Sequence, residues 1–159
     1  MNIHLKRLVL SAILTALCIV ATTVIAIPLP FKGYLNLGDV IVLLIAWLLP
    51  MRYAFVSAGL GSMLSDILLG YTLYAPATFI IKGLMAIIAN SSCHKSSTRL
   101  FKGIIAELIM VLGYLAFESV LYGFGASIVN VPMNTLQGVV CLVIAIQVIK
   151  IFNKSKFKI

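Results

Sequence analysis

The sequence predicts an all-α integral membrane protein, a bundle of six transmembrane helices with both termini in the cytoplasm. Three observations lead there. Hydrophobic residues make up 62% of the chain and charged residues 10%, with a mean hydropathy of +1.16. The apolar residues form six long runs, and stretches such as Val40–Leu49 and Val139–Ile146 are apolar on every side. A membrane barrel needs strands that alternate apolar and polar residues, which leaves helices as the way to span lipid. The third observation is that Lys and Arg gather in alternate gaps between the runs, as orientation signals do.

Taken in order, the elements form one membrane domain over residues 1–159. The first helix is expected at Leu8–Ile27, ended by Pro28-Leu29-Pro30; the run is too long for the core of a signal peptide. A loop, Phe31–Gly38, follows. The second helix, Asp39–Leu49, is short for a full span, with Asp39 as its N-cap and Pro50 as its stop. The third, Tyr53–Leu69, is rich in small residues, among them Gly59, Gly61 and Ser62. The fourth, Pro76–Ala89, opens on a proline suited to a first helical turn. The fifth and sixth are expected at Leu100–Tyr122 and Pro132–Ile151.

Six crossings put both termini on one side. That side collects Lys6, Arg7, Arg52, Lys95, Arg99, Lys102, Lys150, Lys154, Lys156 and Lys158, against Lys32 alone on the other. The formal charge of +8 is thus spent on topology, and no basic face for nucleic acid is formed. Cys18, Cys93 and Cys141 are scattered, without the spacing of a metal or redox site. His4 and His94 lie far from any outer nucleophile, and no phosphate-binding G-x-x-x-x-G-K-[ST] loop is present. Catalysis, a cofactor and a metal are therefore not expected, and a binder or transporter is.

The functional residues are the polar groups embedded in apolar sequence, because a charge in hydrocarbon is costly unless it faces the bundle interior. With the rise of a helix as a ruler, Asp66, Lys82, Glu118, Asn130, Asn134 and Gln137 fall in the outer third of the membrane. Tyr34, Asn36, Tyr71 and Tyr74 belong to the outer loops, and Asp39 opens the second helix. The expected substrate-binding set is Tyr34, Asn36, Asp39, Asp66, Tyr74, Lys82, Glu118, Asn134 and Gln137, a few polar groups framed by apolar and aromatic walls. Plainer readings stand beside this one. Lys82 pairs structurally with Asp66 or Glu118, Tyr34 and Tyr74 are interfacial aromatics, and Asp39 is first a cap. Glu107, near the cytoplasmic end of its helix, faces headgroups or a partner. Ala12 and Ala16 form a small-residue face that admits another helix, as does Gly59-Leu60-Gly61-Ser62 unless it packs internally.

The stretches Asn36-Leu37-Gly38-Asp39, Gly59–Tyr71 and Tyr74–Gly83, with Ala12-x-x-x-Ala16, resemble the substrate-binding S components of energy-coupling factor (ECF) vitamin transporters over essentially the whole chain. The resemblance implies a six-helix protein of the bacterial plasma membrane. It would capture a vitamin outside and dock, through Ala12 and Ala16, on a membrane coupling subunit with two cytoplasmic ATPases. The subgroup it resembles handles hydroxymethylpyrimidine, vitamin B6 or riboflavin, in that order of expectation. The lack of outer arginines argues against phosphorylated vitamins and folates, and the lack of an outer His or Met cluster against cobalt or nickel. Two other classes remain open. One is an autonomous proton-coupled secondary transporter, disfavoured by the lack of an inverted repeat; the other is a non-transporting membrane assembly subunit.

Overall fold

The computed structural model describes residues 2–29, 33–90 and 95–154. Phe31, Pro30 and Lys32 of the first loop, Cys93, His94, Lys156 and Lys158 lie outside them. The helices are α1 (Ile3–Val24), α2 (Gly38–Leu48), α3 (Met51–Leu68), α4 (Ala75–Ala89), α5 (Ser96–Tyr122), the single turn α6 (Phe124–Ser127) and α7 (Val131–Lys154), with a 3₁₀ turn at Ile128–Asn130 before α7. Each of the six expected segments is overlapped by a helix. The ends differ most at α1, which starts at Ile3 rather than Leu8 because Asn2 caps it, accepting from the His4 N–H at 3.3 Å. It stops at Val24 rather than Ile27, since Ile27 and Pro28 have left the helix for a strand.

That strand corrects the expectation of a plain loop. Ile27–Pro28 (β1) pairs antiparallel with Tyr34–Leu35 (β2), and the Leu29 N–H donates to the Gly33 carbonyl at 3.0 Å. Gly33 has φ +78°, which a side chain would strain. The ribbon leads into α2, whose cap is also not as expected. Asn36 Oδ1 accepts from the Gly38 N–H at 2.8 Å, which leaves Asp39 free for another task. Thr22 of α1 lies so close that a Cβ at Gly38 would fall 2.1 Å from its hydroxyl oxygen, so the start of α2 is held against the end of α1.

With 11 residues, α2 spans about 16 Å at 1.5 Å per residue, well short of the hydrocarbon thickness. Its apolar run makes sense because it lies in the middle of the bundle, with α1, α3, α4 and α7 around it and Val42, Leu43 and Ile45 fully buried. Its last carbonyls are satisfied from α4: Asn90 Nδ2 donates to Ala46 at 2.7 Å and Leu49 at 2.9 Å. Small residues let the other helices close on it. A Cβ at Gly61 would come 2.9 Å from Cys18 of α1, and one at Gly83 2.5 Å from the Phe55 ring of α3. The small residues of α3 therefore pack inside the bundle.

The exterior differs from that of a water-soluble protein. Leu8, Ile13, Leu17, Leu108, Leu112, Val139 and Val143 are exposed. All four acids of the chain are buried, Asp39 at 0%, Glu118 at 2%, Asp66 at 3% and Glu107 at 6% exposure. Among the described residues, Ile3–Val24, Ser96–Tyr122 and Phe124–Lys154 are long and apolar enough to cross a membrane, and Gly38–Leu48 and Ala75–Ala89 are shorter apolar helices. An apolar exterior with the charged groups turned inward is the arrangement that lipid selects.

Candidate functional site

Many of the buried polar groups converge at one end of the bundle, under the ribbon. Lys82, midway along α4, forms a salt bridge with Asp39 Oδ1 of α2. The other oxygen, Asp39 Oδ2, accepts from Gln137 Nε2 of α7 at 2.6 Å, and Gln137 Oε1 accepts the Asn36 backbone N–H at 2.8 Å. Helices α4, α2 and α7 and the ribbon are thus tied by one chain of polar contacts. The ammonium of Lys82 also lies 5.4 Å from the centre of the Tyr114 ring, within cation–π range.

A second layer stands above this floor. Tyr34, on β2, donates to Asp66 Oδ1 of α3 at 2.6 Å, and its ring packs on Tyr71 with centroids 4.9 Å apart. Burial and the adjacent Asp66 carboxylate raise the Tyr34 hydroxyl above its usual pKa, which keeps it a donor. Across the cavity, Tyr74 donates to Glu118 Oε1 at 3.4 Å and Asn130 Nδ2 donates to Glu118 Oε2 at 3.1 Å. The hydroxyls of Thr78 and Tyr114 share a hydrogen bond of 3.1 Å.

These groups enclose a narrow cavity of ≈ 480 Å³ counted out to its open mouth, with ≈ 30 Å³ available to the centres of water molecules. That interior holds about two waters, so the side chains nearly fill it. Tyr34, Asn36, Asp66, Tyr74, Lys82, Glu118, Asn134 and Gln137 all line it, whereas Asp39 stands one layer behind Lys82. The pairing of Lys82 is a correction, since the sequence offered Asp66 or Glu118 and the structure supplies Asp39. Glu107 is a second correction. It does not face headgroups but lies buried against α7, where a Cβ at Gly138 would come 3.0 Å from its Oε2.

Sequence reasoning missed Thr22, Ser62, Thr78 and Tyr114, which also line the cavity. Three of them carried a usable signal. Ser62, Thr78 and Tyr114 each precede a singled-out residue, Asp66, Lys82 and Glu118 respectively, by one helical turn of four positions and so share its face. Thr22 carried none.

Ala12 and Ala16 occupy a different surface. Both are exposed on α1 and line an open, mainly apolar groove with Leu8, Ile19, Val56 and Leu60, where α1 meets α3. Ala16 precedes the cavity residue Thr22 by six positions, about 9 Å along the helix.

Comparison with known proteins gives concordant relatives. The family described as "ECF-type riboflavin transporter, S component" matches residues 2–154. The chain is 33% identical over 129 residues to a Pyrococcus woesei protein described as "uncharacterized protein in gap 3'region", covering 79% of this chain and 86% of that one. It is 30% identical over 146 residues to the thiamine precursor transporter HmpT of Lactococcus lactis subsp. cremoris (strain MG1363), covering 91% and 86%. A solved structure described under "Structure and mechanism of the S component of a bacterial ECF transporter" superposes with a TM-score of 0.76 at 22% identity, over 95% of this chain and 97% of that one; it shares the fold.

Proposed function

We propose that this chain, which belongs to the family of ECF-type transporter S components, captures a small vitamin or vitamin precursor from outside the cell for ATP-driven uptake. Members of this family are transport subunits rather than enzymes, and this one is a membrane protein. The finer reading is a single membrane domain of six spans in a bacterial plasma membrane, with cytoplasmic termini. It works with a membrane coupling subunit and two cytoplasmic ATPases. The observation that carries the capture role is the narrow, polar-lined cavity, assembled by residues from six separate elements around Lys82 and Asp66. Ionisable groups gathered inside a membrane bundle mark substrate sites and pathways.

The substrate-binding set is Tyr34, Asn36, Asp66, Tyr74, Lys82, Glu118, Asn134 and Gln137, with Asp39 holding Lys82 and Gln137 in place. Hydroxymethylpyrimidine is the first candidate, ahead of vitamin B6 and riboflavin. The small interior supports that order, as does the thiamine-precursor relative. Tyr34 and Asn36 belong to the ribbon and its exit, which makes this segment the lid that a ligand must displace. Ala12 and Ala16 form the docking face for the coupling subunit, supported by their exposure in an apolar groove. Ligand extracted from the purified protein and identified by mass spectrometry tests the proposal. A bound vitamin or precursor is expected; no extractable small molecule, together with no affinity across a vitamin panel, removes the capture role.

A further inference from the structure

We propose that the groove between α1 and α3 is a binding site for one anionic phospholipid, its headgroup held by Arg7 and Arg52 and an acyl chain laid over Ala12 and Ala16. This goes beyond the vitamin-capture reading and uses none of the cavity residues. The groove has a volume of ≈ 1010 Å³, is mainly apolar, and shares no lining residue with the polar cavity. Thr15 of α1 meets Ser57 of α3, and Cys18 meets Ser62, so the two helices run in the same direction and Arg7 and Arg52 lie at the same end. Both walls then repeat one pattern. On α1, Arg7 is followed at steps of four by Ser11, Thr15 and Ile19; on α3, Arg52 is followed by Val56 and Leu60. Steps of four stay on one helix face. Each wall therefore carries a guanidinium at the mouth and small or apolar side chains beyond it.

That gradient matches a phospholipid read from headgroup to tail. Guanidinium groups pair with phosphate oxygens bidentately, and none of the chain's four acids lines the groove to compete for them. Ser11, one turn deeper than Arg7, is buried at 8% exposure, and its Oγ has no hydrogen-bond partner among the described residues. A glycerol ester carbonyl at that depth supplies the acceptor that the hydroxyl lacks. From Leu8 to Ile19 the groove follows α1 for about 16 Å, about half of a hydrocarbon core that is ~30 Å thick. This is the depth of one leaflet, which a single acyl chain fills from the basic mouth inward. On the proposed topology that mouth faces the cytoplasm, where basic pockets between membrane helices take anionic headgroups. Docking of a coupling subunit at Ala12 and Ala16 then requires the lipid to leave.

Native mass spectrometry of the purified protein in mild detergent tests this, with phosphatidylglycerol and phosphatidylcholine of identical acyl chains added in equal amounts. One phosphatidylglycerol per chain is expected to stay bound, with a preference of about tenfold or more over phosphatidylcholine, because two basic residues act on the anionic headgroup. Arg7→Gln with Arg52→Gln is expected to abolish that preference, and Ala16→Trp to lower retention of both lipids by filling the groove. Lys150→Gln with Lys154→Gln, at two exposed basic residues outside the groove, should change neither. Equal retention of the two lipids by the wild type overturns the inference. So does an equal loss in the two double variants, which would mean diffuse attraction to basic charge. A wild-type dimer without lipid, dissociated by Ala16→Trp, gives the groove to a second copy of the chain and also overturns it. If a variant does not insert, the wild-type comparison decides alone. Vitamin capture stands under each of these results, since no cavity residue is involved.

Discussion

Lys82 is paired with an aspartate, Asp39, that is completely buried. Lys82→Met keeps the length of the side chain but leaves Asp39 charged and unpaired, which costs about 3–5 kcal/mol. A marked fall in melting temperature in detergent is expected, together with loss of ligand binding. Adding Asp39→Asn removes the stranded charge, so the double variant should regain most of the stability and none of the affinity. If the double variant binds ligand normally, Lys82 is a structural strut. Tyr34→Phe isolates a second contact: it withdraws the hydroxyl from Asp66. Hydrogen bonds to charged groups contribute about 1.5–3 kcal/mol, so the variant should lose stability on that scale, read as a lower melting temperature in detergent. At this scale the sequence was readable in one respect. The cost of charge in lipid marks Asp66, Lys82 and Glu118 as interior residues whatever the fold. Their partners were not readable, because counting turns gives the depth of a residue and not the direction it faces. Asp39 and Asp66 are both compatible with Lys82 in depth, and only the packing of α2 inside the bundle chooses Asp39.

Between elements, close approach depends on absent side chains. Gly83 lies against Phe55 and Gly61 against Cys18, with no room for a Cβ at either position. Gly83→Leu should over-pack the contact between α3 and α4 and destabilise the bundle by about 1–3 kcal/mol or more, read as a lower melting temperature. A substitution of equal size at exposed Ala12 should leave the melting temperature unchanged. The ribbon behaves differently, because it closes the cavity through Tyr34 and Asn36 rather than through packed glycines. Amide exchange at residues 33–38 is expected to slow when ligand saturates the protein; exchange indifferent to ligand would show that this segment is not the lid. Helix ends were the least legible feature. Apolarity records contact with lipid, whereas a helix ends where its caps and turn residues decide. Hence α1 extends back to Asn2, and α2 takes its cap from Asn36 instead of Asp39.

Across the whole molecule, the cavity and the Ala12–Ala16 groove are separate surfaces joined by α1, which contributes Thr22 to the first and the two alanines to the second. The separation permits a test in which binding and transport come apart. Ala12→Trp with Ala16→Trp fills the groove with side-chain volume, and a helix that depends on a small-residue face can no longer approach it. No residue of the cavity changes. The double variant is therefore expected to keep its ligand affinity while losing co-purification with the coupling subunit and ATP-dependent uptake. Reduced affinity with the complex intact would instead mean that this face supports the cavity through α1. The wild-type protein alone in liposomes completes the experiment. On the proposed reading the chain binds its ligand there without concentrating it, because the energy for uptake would come from separate ATPases. Accumulation by the isolated chain would make it a transporter in its own right, driven by some other gradient, and the docking role of Ala12 and Ala16 would fall with the S-component mechanism.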